Sequence, residues 1–141
     1  MSIYKTKQAL VTQLLSASIP SIAASDISFE NESFDPLGKS LWLGCYFIPA
    51  TSEMLGKTPT SSNEDRGIFQ ISVFTALNDG SYDNTQLQTI DSILSAFQYN
   101  SSTVYNTQKV DILESTVNNG IENESWFKRD ISINYLTFST R

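Results

Sequence analysis

Apolar and polar positions follow two rhythms along this chain. Ile3, Leu10, Val11, Leu14 and Leu15 recur at helical spacing between Ser2 and Ser18, with Lys5, Lys7, Thr12 and Gln13 among the polar positions. The spacing predicts an amphipathic helix, stopped by Pro20. Ile27 and Phe29 alternate with Ser28 and Glu30 as a short strand, and Asp35-Pro36-Leu37-Gly38 then carries turn chemistry. Leu41–Ile48 is apolar on both parities, which predicts a strand with both faces buried, closed by Pro49.

From Ala50 to Asp65 almost no hydrophobic pattern remains beyond Met54 and Leu55, so this stretch is expected to be a long loop with a working or interface role. It leads into a strand over Arg66–Ala76 whose faces separate. Phe69, Ile71, Val73 and Thr75 share one side; Ile68, Gln70, Ser72 and Phe74 share the other. Large hydrophobes on both sides suggest a sheet covered on both, by a helix and by another subunit.

After turn residues Asn78-Asp79-Gly80, Thr85 and Gln88 have the spacing of a capping box, in which each side chain satisfies an orphan amide at a helix start. Leu87, Ile90, Leu94 and Phe97, widened by Ile93, form the apolar stripe of that second helix, with Gln86, Asp91 and Ser92 facing away. Two strands close the chain, roughly Lys109–Val117 and Trp126–Phe138. Asn119-Gly120 between them is a dipeptide that readily takes positive φ in a hairpin turn. In the last strand Phe127, Arg129, Ile131, Ile133 and Tyr135 share one parity; Ser132, Asn134, Leu136 and Phe138 share the other. The order α-β-β-β-α-β-β predicts an α+β fold: a mostly antiparallel sheet of about five strands with two helices packed on it. Residues 1–141 make a single domain, with no internal repeat or linker to split it.

Composition narrows the function. A net charge of −6 with only nine Lys and Arg, scattered, argues against a surface that grips nucleic acid. The aromatics fall inside the expected strands and lack the basic groove that base stacking needs, so they read as core or subunit contacts. Cys45 is the only cysteine, expected as a small buried hydrophobe, and no intramolecular disulfide is possible. No signal peptide is recognisable, and no apolar run approaches the ~20 residues of a membrane span.

The chain has no histidine, which removes the usual general base and the commonest metal ligand. Glu30-x-Glu32 and Glu122-x-Glu124 are carboxylate pairs beside turns and read as solvated surface charge. The stretch from Asn78 to Asp83 lacks the ligand series of a calcium loop, and the isolated glycines form no phosphate cradle. An enzyme is not expected, and no catalytic, metal or cofactor-binding residue is assigned.

Four segments together resemble the tail terminator-like proteins of long-tailed phages and prophages. They are Phe34-Asp35-Pro36-Leu37-Gly38 with the strand Leu41–Ile48 and Pro49; the long loop running into Arg66-Gly67-Ile68-Phe69-Gln70-Ile71-Ser72-Val73-Phe74; Gly80 ahead of the helix ending at Phe97; and Trp126 opening a strand that ends near Tyr135. The most specific part is Arg-Gly-x-x-Gln-x-x-Val at Arg66–Val73. Where a glycine is expected soon after Phe97, this chain has Gln98-Tyr99-Asn100.

The resemblance implies a structural virion protein of the tail–neck region, synthesised in a bacterial cytoplasm. Such a subunit would form a homo-hexameric ring that caps the tail tube and faces a head-side connector or adaptor. Its partners would be further copies of itself, the major tail tube protein and that connector. DNA would pass through the lumen without specific binding, which an acidic subunit suits. Candidate subunit or tube contacts are Arg66, Phe69, Gln70, Ile71 and Val73 on the strand, with Thr51, Met54, Leu55 and Lys57 on the loop. Glu122 and Glu124 are candidate pore or surface acids. Rival readings are another neck protein, such as a head-closure or head–tail joining subunit, and a small non-viral regulatory binding module.

Overall fold

In the computed structural model the described residues are 3–17, 19–20, 22–30, 32–58, 61–77, 84–123 and 125–140. The elements run α1 (Ile3–Ser16), β1 (Ile27–Phe29), β2 (Leu41–Met54), β3 (Ser62–Ala76), α2 (Asn84–Ala96), β4 (Ser102–Tyr105), β5 (Gln108–Val117), β6 (Ile121–Asn123) and β7 (Trp126–Thr140), with a 3-10 turn at Ala24–Asp26. One seven-stranded sheet has the order β1-β2-β3-β7-β5-β4, with β6 pairing beside β7.

The fold is α+β, but the sheet is mixed. β1 runs parallel to β2, joined through Ile27↔Leu43 and Phe29↔Cys45, and the other pairings are antiparallel. Two strands beyond the expected set explain the higher count. β4 has only four residues, too short for a period-2 pattern to stand out, and a tight turn at Asn106 (φ 55) joins it to β5. β6 has three residues and exists only by its register with Trp126–Lys128.

Both helices cover one face. Ala9, Leu10 and Leu14 of α1, with Ile90 and Ile93 of α2 and Phe97 just beyond it, bury against Leu43, Ile71, Val73, Ile112, Ile131 and Ile133. Thr103 donates to the Ala9 carbonyl at 3.2 Å and ties α1 to β4. Gln13 donates to the Ala96 carbonyl at 2.9 Å and ties it to the end of α2. Cys45 is buried here as expected, and loss of hydration pushes its thiol pKa up to about 12.

Three local expectations change. α2 starts at Asn84, so Thr85 lies inside the first turn, where its carbonyl accepts from Thr89 at 2.9 Å. Gln86 does not face away: it is fully buried, while Leu87 is exposed. Its amide nitrogen donates to the carbonyls of Val73 at 3.0 Å and Phe127 at 2.9 Å, and its oxygen accepts from Arg129 at 3.2 Å. This glutamine lets Arg129 occupy the helix-covered face of β7, because each polar atom finds a partner.

Gly120 also differs, since Gly38 is the only described glycine with positive φ. A side chain at Gly120 would collide with the Phe127 ring, so space rather than turn geometry requires glycine there. After α2 the left-handed residue is Asn100 (φ 65), which supplies the conformation for which a glycine was expected. The turn at Asp35–Gly38 forms as read: Asp35 accepts from the Leu37 amide at 3.0 Å, and Gly38 takes φ 80. The Asn78–Asp83 stretch lies outside the described residues.

Candidate assembly surface

The stretch expected as a loop is mostly a hairpin. β2 continues past Pro49 to Met54, and β3 begins at Ser62, with Thr51↔Arg66, Ser52↔Asp65, Glu53↔Glu64 and Met54↔Asn63 in register. Pro49 is tolerated because its missing N–H falls on the outer edge of β2. Phe47, two residues earlier, sends its amide to that same edge, where the Glu30 carboxylate accepts it at 2.6 Å. A bulge between Pro49 and Thr51 then shifts the register by one residue. The connection shrinks to residues 55–61, closed by the Leu55 amide bonding the Ser62 carbonyl at 3.1 Å.

The root of this arm is fixed by close packing. Gly67 pairs with Pro49 on one side and Tyr135 on the other. A methyl group at Gly67 would stand 2.5 Å from the Tyr135 hydroxyl and 2.6 Å from the Ile48 carbonyl oxygen. Tyr135 stacks on Phe47 with centroids 5.6 Å apart. Burial, and then the nearby Asp65 carboxylate, push its phenol pKa up to about 12. Asp65 accepts from Ser52 at 2.5 Å and from Ser139 at 2.7 Å, so one carboxylate bridges all three strands of the arm. Arg66 bonds Glu64 at 2.7 Å across one face of the arm. That contact lies within the chain, at a half-exposed site where an ion pair contributes little to stability.

The helix-free face of the sheet is aromatic at one end and, in the middle, carries apolar side chains running diagonally among polar ones. Trp42 stacks on Phe74 at 3.9 Å, with Phe34 and Trp126 against it at 4.9 and 5.7 Å. Further along come Tyr46↔Gln70↔Ser132, Ile48↔Ile68↔Asn134 and Arg66↔Leu136. Tyr46, Ile48 and Phe138 are 39%, 41% and 48% exposed, while Ile68 and Leu136 are half-buried. Gln70, Ser132, Asn134 and Arg66 fit a wet face, whereas Tyr46, Ile48, Ile68, Leu136 and Phe138 depart from it.

The expected contact residues divide between these surfaces. Phe69, Ile71 and Val73 are buried in the protomer's own core and present no surface to a partner. Gln70 lies on the open face, half-buried, and Arg66 lies at the arm root. Thr51, Met54, Leu55 and Lys57 are exposed along the arm and its tip. Glu122 is exposed on β6, away from the arm, and Glu124 lies outside the described residues. Tyr46, Ile48, Leu136 and Phe138 are not among the expected contacts, although their parity is opposite that of the core residues. Asp65 is not among them either, because its role depends on Ser139, far away in the chain.

Among the described residues no group of three His, Cys, Asp or Glu could hold a metal ion, and no helix is long and apolar enough to cross a membrane. The family model described as phage tail terminator protein matches residues 6–135. The chain belongs to the phage tail terminator family. The family is a structural one, not an enzyme family, and the protein has a structural role in a phage tail. No curated protein matches the chain in sequence. A solved chain described as "Virion of native gene transfer agent (GTA) particle" is similar in fold, with a TM-score of 0.63 and 12% identity over 96% of each chain. Another solved chain, described only by a serial designation, has a TM-score of 0.65 and 18% identity over 92% of this chain and 94% of its own.

Proposed function

We propose that this protein is a tail terminator whose copies form a ring, hexameric by the family resemblance, that caps the tail tube and meets the head-side connector. The observation that carries the reading is the family match over residues 6–135, which spans the whole sheet up to Tyr135 and includes the arm. The physical form suits the role. Thr51 is exposed at the root of the hairpin and Met54, Leu55 and Lys57 at its end, and the root is held by Gly67, Tyr135 and Asp65, so the arm can press on another protein without the core yielding. The net charge of −6 lets DNA pass a lumen without adhering to it. A ring of head-to-tail contacts needs two different surfaces on each copy, and the two faces of this sheet are different.

The test is a phage or prophage lacking the gene. It should yield filled heads and separate tails, and supplying the chain should restore joined particles with a ring of this protein at the head-proximal tail end. Normal joining without the gene, or a position of the protein elsewhere in the particle, contradicts the reading.

A further inference from the structure

We infer that the open sheet face of one copy receives helix α1 of a second copy, a contact that rests on the ring reading above. The apolar strip formed by Tyr46, Ile48, Ile68, Leu136 and Phe138 lies on the face opposite α1. The contact is therefore heterologous: each copy offers a helix on one side and a strip on the other, and the series closes when its rotation does.

Shape and charge favour α1 as the occupant. Along its outer side Tyr4, Gln8, Thr12 and Leu15 follow one another at helical spacing, with Tyr4 65% and Leu15 47% exposed. The helix has 14 residues, about 21 Å in length. The strip crosses from Tyr46 and Ile48 on β2 over Ile68 on β3 to Leu136 and Phe138 on β7, and the open face of β7 alongside it, Ser132 to Phe138, is about 20 Å of extended chain. α1 carries Lys5 and Lys7 and no acid, although the chain as a whole has a charge of −6. Neither lysine has an ion pair among the described residues. The strip carries the cation Arg66, whose charge is matched by its 2.7 Å pair with Glu64; around that pair stand Glu53 on the arm and Glu114, which shares a groove with Arg66, Ile68, Leu113 and Asn134. Glu53 and Glu114 also lack ion pairs among the described residues. A positive helix therefore faces an acid-rimmed apolar strip, which selects the partner and its direction.

The experiment uses the absence of any other reactive thiol, since Cys45 is buried. Gln8→Cys and Asn134→Cys are introduced together and singly, and oxidation is followed in the isolated protein and in purified particles. The double variant should give a ladder of covalent multimers reaching the ring size, and the single variants should give none at this contact. Lys5→Glu should weaken self-association at least about tenfold, with Glu53→Lys in the same chain recovering part of the loss. Tyr46→Ser should weaken it as well, with an unchanged far-ultraviolet spectrum and melting profile showing that the protomer stays folded. A ring that forms with no ladder and ignores Lys5→Glu and Tyr46→Ser overturns this contact and leaves the ring reading standing. One copy per particle, with a monomer in solution, overturns both.

Discussion

The two faces of the sheet share strands and residue types, yet only one is closed by the chain itself. Under α1 and α2 the side chains of Phe69, Ile71, Val73, Ile131 and Ile133 are all but inaccessible. On the other face Phe74 and Ser72 are buried by the aromatic cluster and by Asp130, which accepts from Ser72 at 2.6 Å. Beyond them Tyr46, Ile48 and Phe138 stay in water. The lesson is that hydrophobicity on both parities of a strand does not assign a partner to either. Only the placement of the helices separates the face that folds the protomer from the face left for assembly.

Substitutions can break that contrast, and the largest effect belongs to the closed face. Phe69→Ala should lower unfolding free energy by about 3–5 kcal/mol in a denaturant titration, because the ring is 1% exposed and packs against Phe97 at 5.8 Å. A loss below about 1 kcal/mol would place Phe69 on a surface rather than in the core.

Gly67→Ala acts where the faces meet the arm. Its methyl group has no room beside Tyr135 and the Ile48 carbonyl, so a cost of about 1–3 kcal/mol is expected, with the arm resonances shifting most in a spectrum of the variant. A neutral substitution would show that the arm root gives way easily.

Alkaline pH should weaken the closed face by a smaller, graded amount. The folded state holds protons on Cys45 and Tyr135 up to about pH 12, whereas the ordinary values are 9.0 and 10.0. The unfolded chain therefore loses those protons first, and stability falls as pH rises from about 9 and levels off above 12. Melting followed across that range checks the sign, and Cys45→Ala should flatten the slope. Stability rising over the same window would contradict the burial of both groups.

Arg66→Ala should change stability least, by under about 0.5 kcal/mol, since its pair with Glu64 is half-exposed. Its effect is expected in tail joining, measured as the yield of complete particles. Unchanged joining would reduce Arg66 to a solvated charge at the root of the arm.

Both helices and the face assignments of β3 and β7 were legible in the sequence, because each leaves a period of 3.6 or 2 over several residues, and the turn at Asp35–Gly38 was legible from its Asp, Pro and Gly. The arm was not. Thr51–Glu53 and 62–65 are polar at every position, so they carry no apolar period. The parallel pairing of β1 was hidden for another reason: three residues joined to a distant strand leave no local mark. Gln86 shows a third limit. Its burial follows from Arg129 and two backbone carbonyls across the sheet, not from any neighbour in sequence. Within the assembly surface, the tip residues Met54 and Leu55 were visible as exceptions in a polar run. The strip on the open face was legible in part: Ile68 lies on a strand expected to be covered by a helix and by another subunit, whereas Tyr46 and Ile48 stand in a strand whose two faces were both expected to be buried.

The central claim is that the arm and open face serve assembly while the helix face serves the fold. Replacing residues 55–61 with a two-residue Asn-Gly turn tests it directly, with melting temperature and complete-particle yield measured on the same variant. The account predicts a melting temperature within a few degrees of the unaltered chain, together with tails that fail to join heads. Normal particle yield from that variant would contradict it.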